Sequence, residues 1–257
     1  MPAVLITGAG KRIGAAIAQH LGGRGWHVFV HYNSSRDEAE AVVASIIAAG
    51  GQATAFGADL GDTETVSSLV ARCEAMRPLD LLINNASHFS YDSAATTTAE
   101  ALDHNMRINL YAPALLAQAF HAALKARGGE GVIINMVDNK VFALNPDYFS
   151  YTLSKVALQG MTQMLAMAFA PRIRIAGIAP GITLVSGDQN EAEFQRTHNN
   201  NLLGQGCTPE QILGAIDFIL ATPSYHGQTM VIDGGQVLQR RPRDIAFLAP
   251  DAPNAKS

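Results

Sequence analysis

Two cysteines in 257 residues, Cys73 and Cys207, are too few for a disulfide framework. A reducing compartment is the expected setting. Charge is also sparse: 18 basic residues stand against 22 acidic ones, for a net charge of −4. That balance argues against nucleic acid or an anionic membrane as the main partner. A charged fraction of only 16% beside 48% hydrophobic residues excludes a disordered chain. No apolar run approaches the roughly 20 residues that cross a bilayer. The longest candidate, Ala112 to Leu124, is broken by Pro113, Gln118 and His121. The opening Met-Pro2-Ala3-Val4-Leu5-Ile6-Thr7 shows neither the basic flank nor the cleavage site of a signal peptide. A soluble cytoplasmic protein is expected. The eight histidines are scattered, no His/Cys spacing suits zinc, and no Gly-x-Ser-x-Gly nucleophile elbow occurs, so neither a metal centre nor a serine hydrolase is expected.

What is present is a regular alternation. Short β-branched runs at Val4–Ile6, His27–His31, Ala53–Gly57, Leu79–Asn84, Val132–Val137, Arg174–Ile178 and Thr229–Ile232 are separated by Ala-rich helical stretches. The first helix starts near Arg12, with Ile13, Ile17 and Leu21 along one face. Ser35-Arg36-Asp37-Glu38 has the pattern of a capping box opening the second. Strand and helix in strict alternation predict an α/β protein, a parallel sheet covered on both faces. No linker divides the chain. Residues 182 to 207 read as polar and irregular, a mobile lid in which Asp188, Glu191, Glu193, Arg196 or Asn199-Asn200-Asn201 could face a ligand or only solvent. A basic tail after Leu238, with Arg240, Arg241 and Arg243, reads as a solvated end to a domain spanning residues 1–238. Met161, Met164 and Met167 form a helical stripe suited to core or subunit packing.

Thr7-Gly8-Ala9-Gly10-Lys11-Arg12-Ile13-Gly14 lies between the first strand and first helix. Glycines there let a backbone approach a pyrophosphate, and free helix N–H groups meet its charge. Gly8, Lys11, Arg12, Ile13 and Gly14 are therefore candidate cofactor contacts, although the order departs from Gly-x-Gly-x-x-Gly. At the end of the second strand an NAD site carries an acid for the ribose hydroxyls. Here the chain reads His31-Tyr32-Asn33-Ser34-Ser35-Arg36, with no acid. Asp37 and Glu38 suit the first turn of the next helix. Lys11, Arg12 and Arg36, with the Ser34 and Ser35 hydroxyls, could hold a 2′-phosphate, so NADP(H) is favoured.

Tyr151 and Lys155 stand four apart in Tyr-Thr-Leu-Ser-Lys and share one helical face. An ammonium beside a phenol lowers its pKa and permits proton transfer near neutral pH.

The glycine loop, the acid-free second strand and Tyr-x-x-x-Lys together resemble the short-chain dehydrogenase/reductase family, over nearly the whole chain to about Leu238. The resemblance implies a single-domain Rossmann fold with a doubly wound, mostly seven-stranded parallel sheet. It makes Asp59-Leu60 an adenine contact, and Asn84-Asn85-Ala86-Ser87 similar to the family's Asn-Asn-Ala-Gly. Asn109 resembles the helical Asn that joins the catalytic group through water. Pro180-Gly181 resembles the turn beside the nicotinamide, and Ile232-Asp233-Gly234-Gly235 the last strand's ending. A homotetramer is implied as well.

Two departures narrow the resemblance. Arg12 stands where the commoner pattern has Gly, and Asp138 stands thirteen residues before Tyr151, where most relatives carry Ser. With His31-Tyr32 and Asn-Ala-Ser these resemble pteridine reductases and bacterial dihydromonapterin reductases. A carboxyl group with a raised pKa can stay protonated and serve as acid toward a ring nitrogen, which a Ser hydroxyl cannot. The implied reaction is NADPH-dependent reduction of a dihydropterin, with Tyr151, Asp138, Lys155 and Asn109 as the catalytic set. Ser87 and Phe89 are expected at the substrate. Met106 falls where several pteridine reductases have a stacking aromatic. A carbonyl or 3-oxoacyl-thioester reductase and a non-catalytic NADP(H)-binding sensor remain the alternatives.

Overall fold

The computed structural model describes residues 1–185 and 190–248. Seven strands, β1 (Ala3–Ile6), β2 (His27–Tyr32), β3 (Gln52–Gly57), β4 (Leu81–Asn84), β5 (Gly131–Met136), β6 (Ile173–Pro180) and β7 (Thr229–Ile232), form one sheet in the order β3-β2-β1-β4-β5-β6-β7. Every neighbouring pair is parallel. The predicted strands all form, displaced by a residue or two at several ends. Leu79 is the clearest shift: it precedes β4, where Asp80 turns back to accept the Ala3 N–H at 2.9 Å.

Helices α1 (Arg12–Gly23), α2 (Arg36–Ala48) and α8 (Pro209–Ala221) cover one face, while α3 (Thr63–Met76), α5 (Ala112–Arg127) and α6 (Phe149–Phe169) cover the other. Period-two alternation in the strands explains both cores. Val4, Ile6, Val28, Val30, Leu81 and Ile83 point to the first layer, and Leu5, Phe29, Leu82, Ile133 and Ile175 to the second. Both faces are buried, so the central strands are apolar throughout rather than alternating with polar residues.

Sequence order along the sheet reverses between β1 and β4. In such a sheet the crevice opens at the carboxyl ends of the strands beside that reversal. Among the described residues no helix is long and apolar enough to cross a membrane.

Three expectations are corrected. Ser35 is the N-cap of α2 but its side chain makes no capping bond; Glu38 turns instead to Lys11 at 2.6 Å, so the reciprocal box does not form. The stretch read as irregular carries helix α7 (Glu191–His198), opened by a true capping box between Asn190 and Glu193; Asp188 lies outside the described residues. The basic tail, as far as Leu248, is not a solvated end. Arg243 Nε donates to both oxygens of the buried Asp147 carboxylate, at 2.9 and 2.8 Å, and the Asp244 N–H donates to it at 2.7 Å. Asp244 in turn accepts from Lys140 Nζ at 3.0 Å.

Candidate active site

A cleft of ≈ 1300 Å³ runs along the carboxyl ends of β1, β2, β4, β5 and β6. At its phosphate end, the loop after β1 is built around His31. Nδ1 of this buried ring accepts the Gly8 N–H at 3.0 Å and Nε2 donates to the Ala58 carbonyl at 3.0 Å, so one side chain joins the ends of β1, β2 and β3. His31 thus shapes the loop while forming part of the cleft wall.

Burial lowers the His31 pKa from 6.5 to about 4. The folded ring therefore resists a proton that the unfolded chain accepts near pH 6.5. Between those values the unfolded state binds more protons, so stability declines as pH falls from 6.5 toward 4, by up to about 3 kcal/mol. Thermal unfolding against pH should show this fall, and His31→Gln should flatten it. An unchanged slope in the variant would remove His31 as the cause.

The fit to a dinucleotide can be judged from the space the loop leaves. A Cβ on Gly14 would lie 2.2 Å from the Gly8 carbonyl oxygen and 2.6 Å from Asn85 Nδ2, so only glycine is accommodated. Gly8 holds φ +62°, and a Cβ there would meet Ala86 Cα at 2.9 Å. Asn85 Nδ2 donates to the carbonyls of Thr7 and Gly8 at 2.9 and 3.1 Å, tying the loop to β4. Backbone at the mouth of α1 is thereby left open to a phosphate. Gly8, Lys11, Arg12, Ile13, Tyr32, Asn33, Ser34, Asp59, Leu60, Asn85, Ala86, Ser87, Pro180 and Gly181 line the cleft with His31. Arg36, exposed, is not part of its wall, so the expected three-cation patch reduces to Lys11 and Arg12.

Arg12 has left-handed backbone, φ +55°, which accounts for glycine being the easier residue at this position. Its guanidinium reaches the carbonyls of Leu184 and Val185, joining the glycine loop to the segment after β6.

At the chemical end, Asp138 follows β5 and Tyr151 and Lys155 occupy the first turns of α6. Tyr151 Oη donates to Asp138 Oδ2 at 2.7 Å, and Asp138 Oδ1 accepts the Lys140 N–H at 2.8 Å. Burial raises the Asp138 pKa. Burial, and then the neighbouring Asp138 charge, push the Tyr151 phenol well up rather than down. The expected lowering by Lys155 is therefore not what the structure gives: the phenol is shifted up. Lys155 Nζ donates to the Met136 carbonyl at 2.8 Å and lies 5.7 Å from the Tyr151 ring centre. Burial lowers its pKa to about 8.

Asn109 sits in a π-helical turn (Arg107–Tyr111) between α4 (Ala99–Met106) and α5. Such turns recur at functional sites. Its side chain accepts the His88 N–H at 2.8 Å and donates to Ser154 Oγ at 2.9 Å, bracing the segment after β4 against α6 from behind the cleft. Phe89 lies edge-on to Tyr151, with centres 4.7 Å apart, and stacks on Tyr148 at 4.4 Å. Met106 does not line the cleft; His104 and Ile108 form the wall contributed by that stretch.

Sequence reasoning missed the rest of the aromatic wall. Tyr91, which lines the cleft, meets Tyr148 at 5.3 Å and is backed by Phe247, outside the lining, at 5.0 Å. Lys140 lies 5.1 Å from the Tyr148 ring, under the hold of Asp244. The one available signal was charge: a lone acid, Asp147, before the Tyr-x-x-x-Lys helix, and a run of arginines with no acid until Asp244.

The chain matches the model of the short chain dehydrogenase family over residues 2–196. A dihydromonapterin reductase from an Enterobacter species is 30% identical over 238 residues, 91% of this chain and 96% of that protein. The crystal structure of FolM alternative dihydrofolate reductase 1 from Brucella suis, in complex with NADP, superposes with a TM-score of 0.88 at 37% identity, covering 92% of this chain and 95% of that one. A short chain dehydrogenase from Burkholderia cenocepacia, also in complex with NADP, gives 0.83 at 32% identity over 91% and 97%. Matched by the family model over most of its length and by relatives nearly end to end, the protein belongs to the short-chain dehydrogenase family.

Proposed function

We propose that the protein is an NADPH-dependent reductase of a dihydropterin ring. The observation that carries this reading is the buried 2.7 Å contact between Tyr151 and Asp138, with Phe89 beside it. The acid-free end of β2, and NADP in the similar Brucella and Burkholderia structures, support the choice of nucleotide. Gly8, Ile13 and Asn85 would face the pyrophosphate end, with Ser34, Lys11 and Arg12 toward the 2′-phosphate, while Gly14, expected as a contact, does not line the cleft and serves the close packing of the loop. Lys155 would take the nicotinamide ribose.

When bound, the reduced nicotinamide supplies hydride to a ring carbon. The chain's own task is the proton. As Tyr151 turns its hydrogen from Asp138 to the ring nitrogen, the hydrogen bond between them reverses and protonated Asp138 donates to the phenol oxygen. One O–H bond breaks and one forms at Tyr151, an N–H bond forms on substrate, and Asp138 is left as the carboxylate. Desolvation favours the protonated form of Asp138. Lys155, charged below about pH 8, stabilises the negative charge that passes through the pair.

The same Tyr151 and Lys155 would also serve a carbonyl reductase, so the decisive assay is NADPH oxidation across dihydropterins, dihydrofolate and simple ketones. Dihydropterin turnover is expected. Ketone turnover with none on pterins would overturn the substrate and leave the family intact. We further infer a homotetramer, supported by exposed Met164 and Met167 on α6, 66% and 77% accessible in the single chain.

A further inference from the structure

Three non-glycine residues have left-handed backbone among the described residues: Arg12, Tyr148 and Arg240, the last at φ +37°. They come from distant segments, yet all three line the one cleft. Strain of this kind persists where the surrounding structure imposes it, and it gathers at ligand sites. Arg12 belongs to the phosphate end and Tyr148 to the aromatic wall. Arg240 has no part in either.

Of the other cations at the cleft, Arg12 and Lys155 pair with no carboxylate but donate to backbone carbonyls. Lys11, Lys140 and Arg243 each have a carboxylate, from Glu38 at 2.6 Å, Asp244 at 3.0 Å and Asp147 at 2.7 Å. Arg240 forms no ion pair among the described residues. Its neighbour Arg241 also lacks one, and spends a single nitrogen, Nη2, on the neutral oxygens Asn200 Oδ1 at 2.7 Å, Gln239 Oε1 at 2.6 Å and the Asn200 carbonyl at 3.4 Å. Glu193, the acid on the α7 side of the cleft, is taken up by its own helix cap.

Arg240 also borders a small groove with Val141, Phe142 and Leu144, the chain that follows Asp138. That places it on the substrate side of the reacting pair, away from the 2′-phosphate end at β2. Arg240 is exposed, and a guanidinium fork at a cleft without a counter-charge can receive carboxylate or phosphate.

We propose that Arg240, with Arg241 beside it, determines specificity by receiving an anionic group, carboxylate or phosphate, at the end of the substrate's ring substituent. The inference rests on the dihydropterin reading above and deepens it.

The test is steady-state reduction, at saturating NADPH, of three substrates: a dihydropterin with an uncharged side chain, its phosphate ester, and dihydrofolate with its carboxylates. The wild type is expected to show a KM about tenfold lower for one or both anionic substrates, the scale of a charge-assisted hydrogen bond, and the gap should shrink with added salt. Arg240→Gly should abolish the gap while leaving the uncharged pterin and the KM for NADPH unchanged. Its melting temperature should not fall, because glycine adopts this backbone freely; Arg240→Gln, which keeps the strain, should lose the gap equally. The phosphate and dihydrofolate arms show which anion is taken. Equal KM values in the wild type would overturn the proposal. So would variants that weaken all three substrates alike, or that raise the KM for NADPH. If ketones are reduced and no pterin is, the ring assignment fails separately. The anion receptor is then judged by a neutral ketone against its carboxylated analogue, where the absence of a gap defeats it.

Discussion

Tyr151→Phe is expected to lower kcat by about 10²–10⁴-fold, the usual contribution of a positioned proton donor, with NADPH affinity unchanged. The phenol is buried and its oxygen is 2.7 Å from Asp138. Removing it deletes the hydrogen given to the substrate and the route by which Asp138 replaces it. The ring itself remains, so its edge-on packing with Phe89 should persist. A loss in kcat with unaltered cofactor binding therefore separates proton transfer from folding. A companion signature lies in pH. Lys155 carries its charge below about pH 8 and loses it above, so wild-type activity should fall as pH rises through that value. Retention of near wild-type kcat in Tyr151→Phe would remove the residue from the proton path.

Asp138→Ser should impair dihydropterin reduction on a similar scale, about 10²-fold or more, and preserve or improve reduction of a simple ketone. Serine can hydrogen-bond the phenol but has no carboxyl proton to pass on. A variant with undiminished pterin turnover would remove Asp138 from the proton path. Stability offers a second readout. The folded carboxyl has a raised pKa, so above the ordinary carboxylate range the folded state binds more protons than the unfolded one. Stability attributable to this group therefore declines as pH rises. Asp138→Asn, neutral at every pH, should melt higher than the wild type at neutral pH while losing activity, as expected where a site gives up stability for chemistry.

The parts of this molecule governed by local pattern are legible in the sequence. Runs such as Val4–Ile6 mark central strands because both faces of the sheet are covered, and Tyr151 and Lys155 share a face through helical spacing alone. The glycine loop is legible for a similar reason, since the space allowed at Gly14 is set within a short stretch and its β4 neighbour. The rest depends on contacts between distant segments. Nothing periodic connects Arg243 with Asp147, or Phe247 with Tyr91, across the intervening chain. Motif distance places Met106 at the substrate, but the wall is formed by His104 and Ile108 instead. Ser35 and Glu38 satisfy the capping pattern, and Lys11 from another element outcompetes it.

The clamp between Asp147 and the Arg243–Asp244 pair fixes an order of completion during synthesis. The N-terminal part of a chain is synthesised first, and the glycine loop, the sheet through β7 and the Tyr151–Asp138 pair all precede residue 240 in the chain. Phe247, Arg240 and the partner of Lys140 arrive last. A nascent chain emerging from the ribosome would thus have all the residues of its nucleotide half before it acquires the last residues at the other end of the cleft.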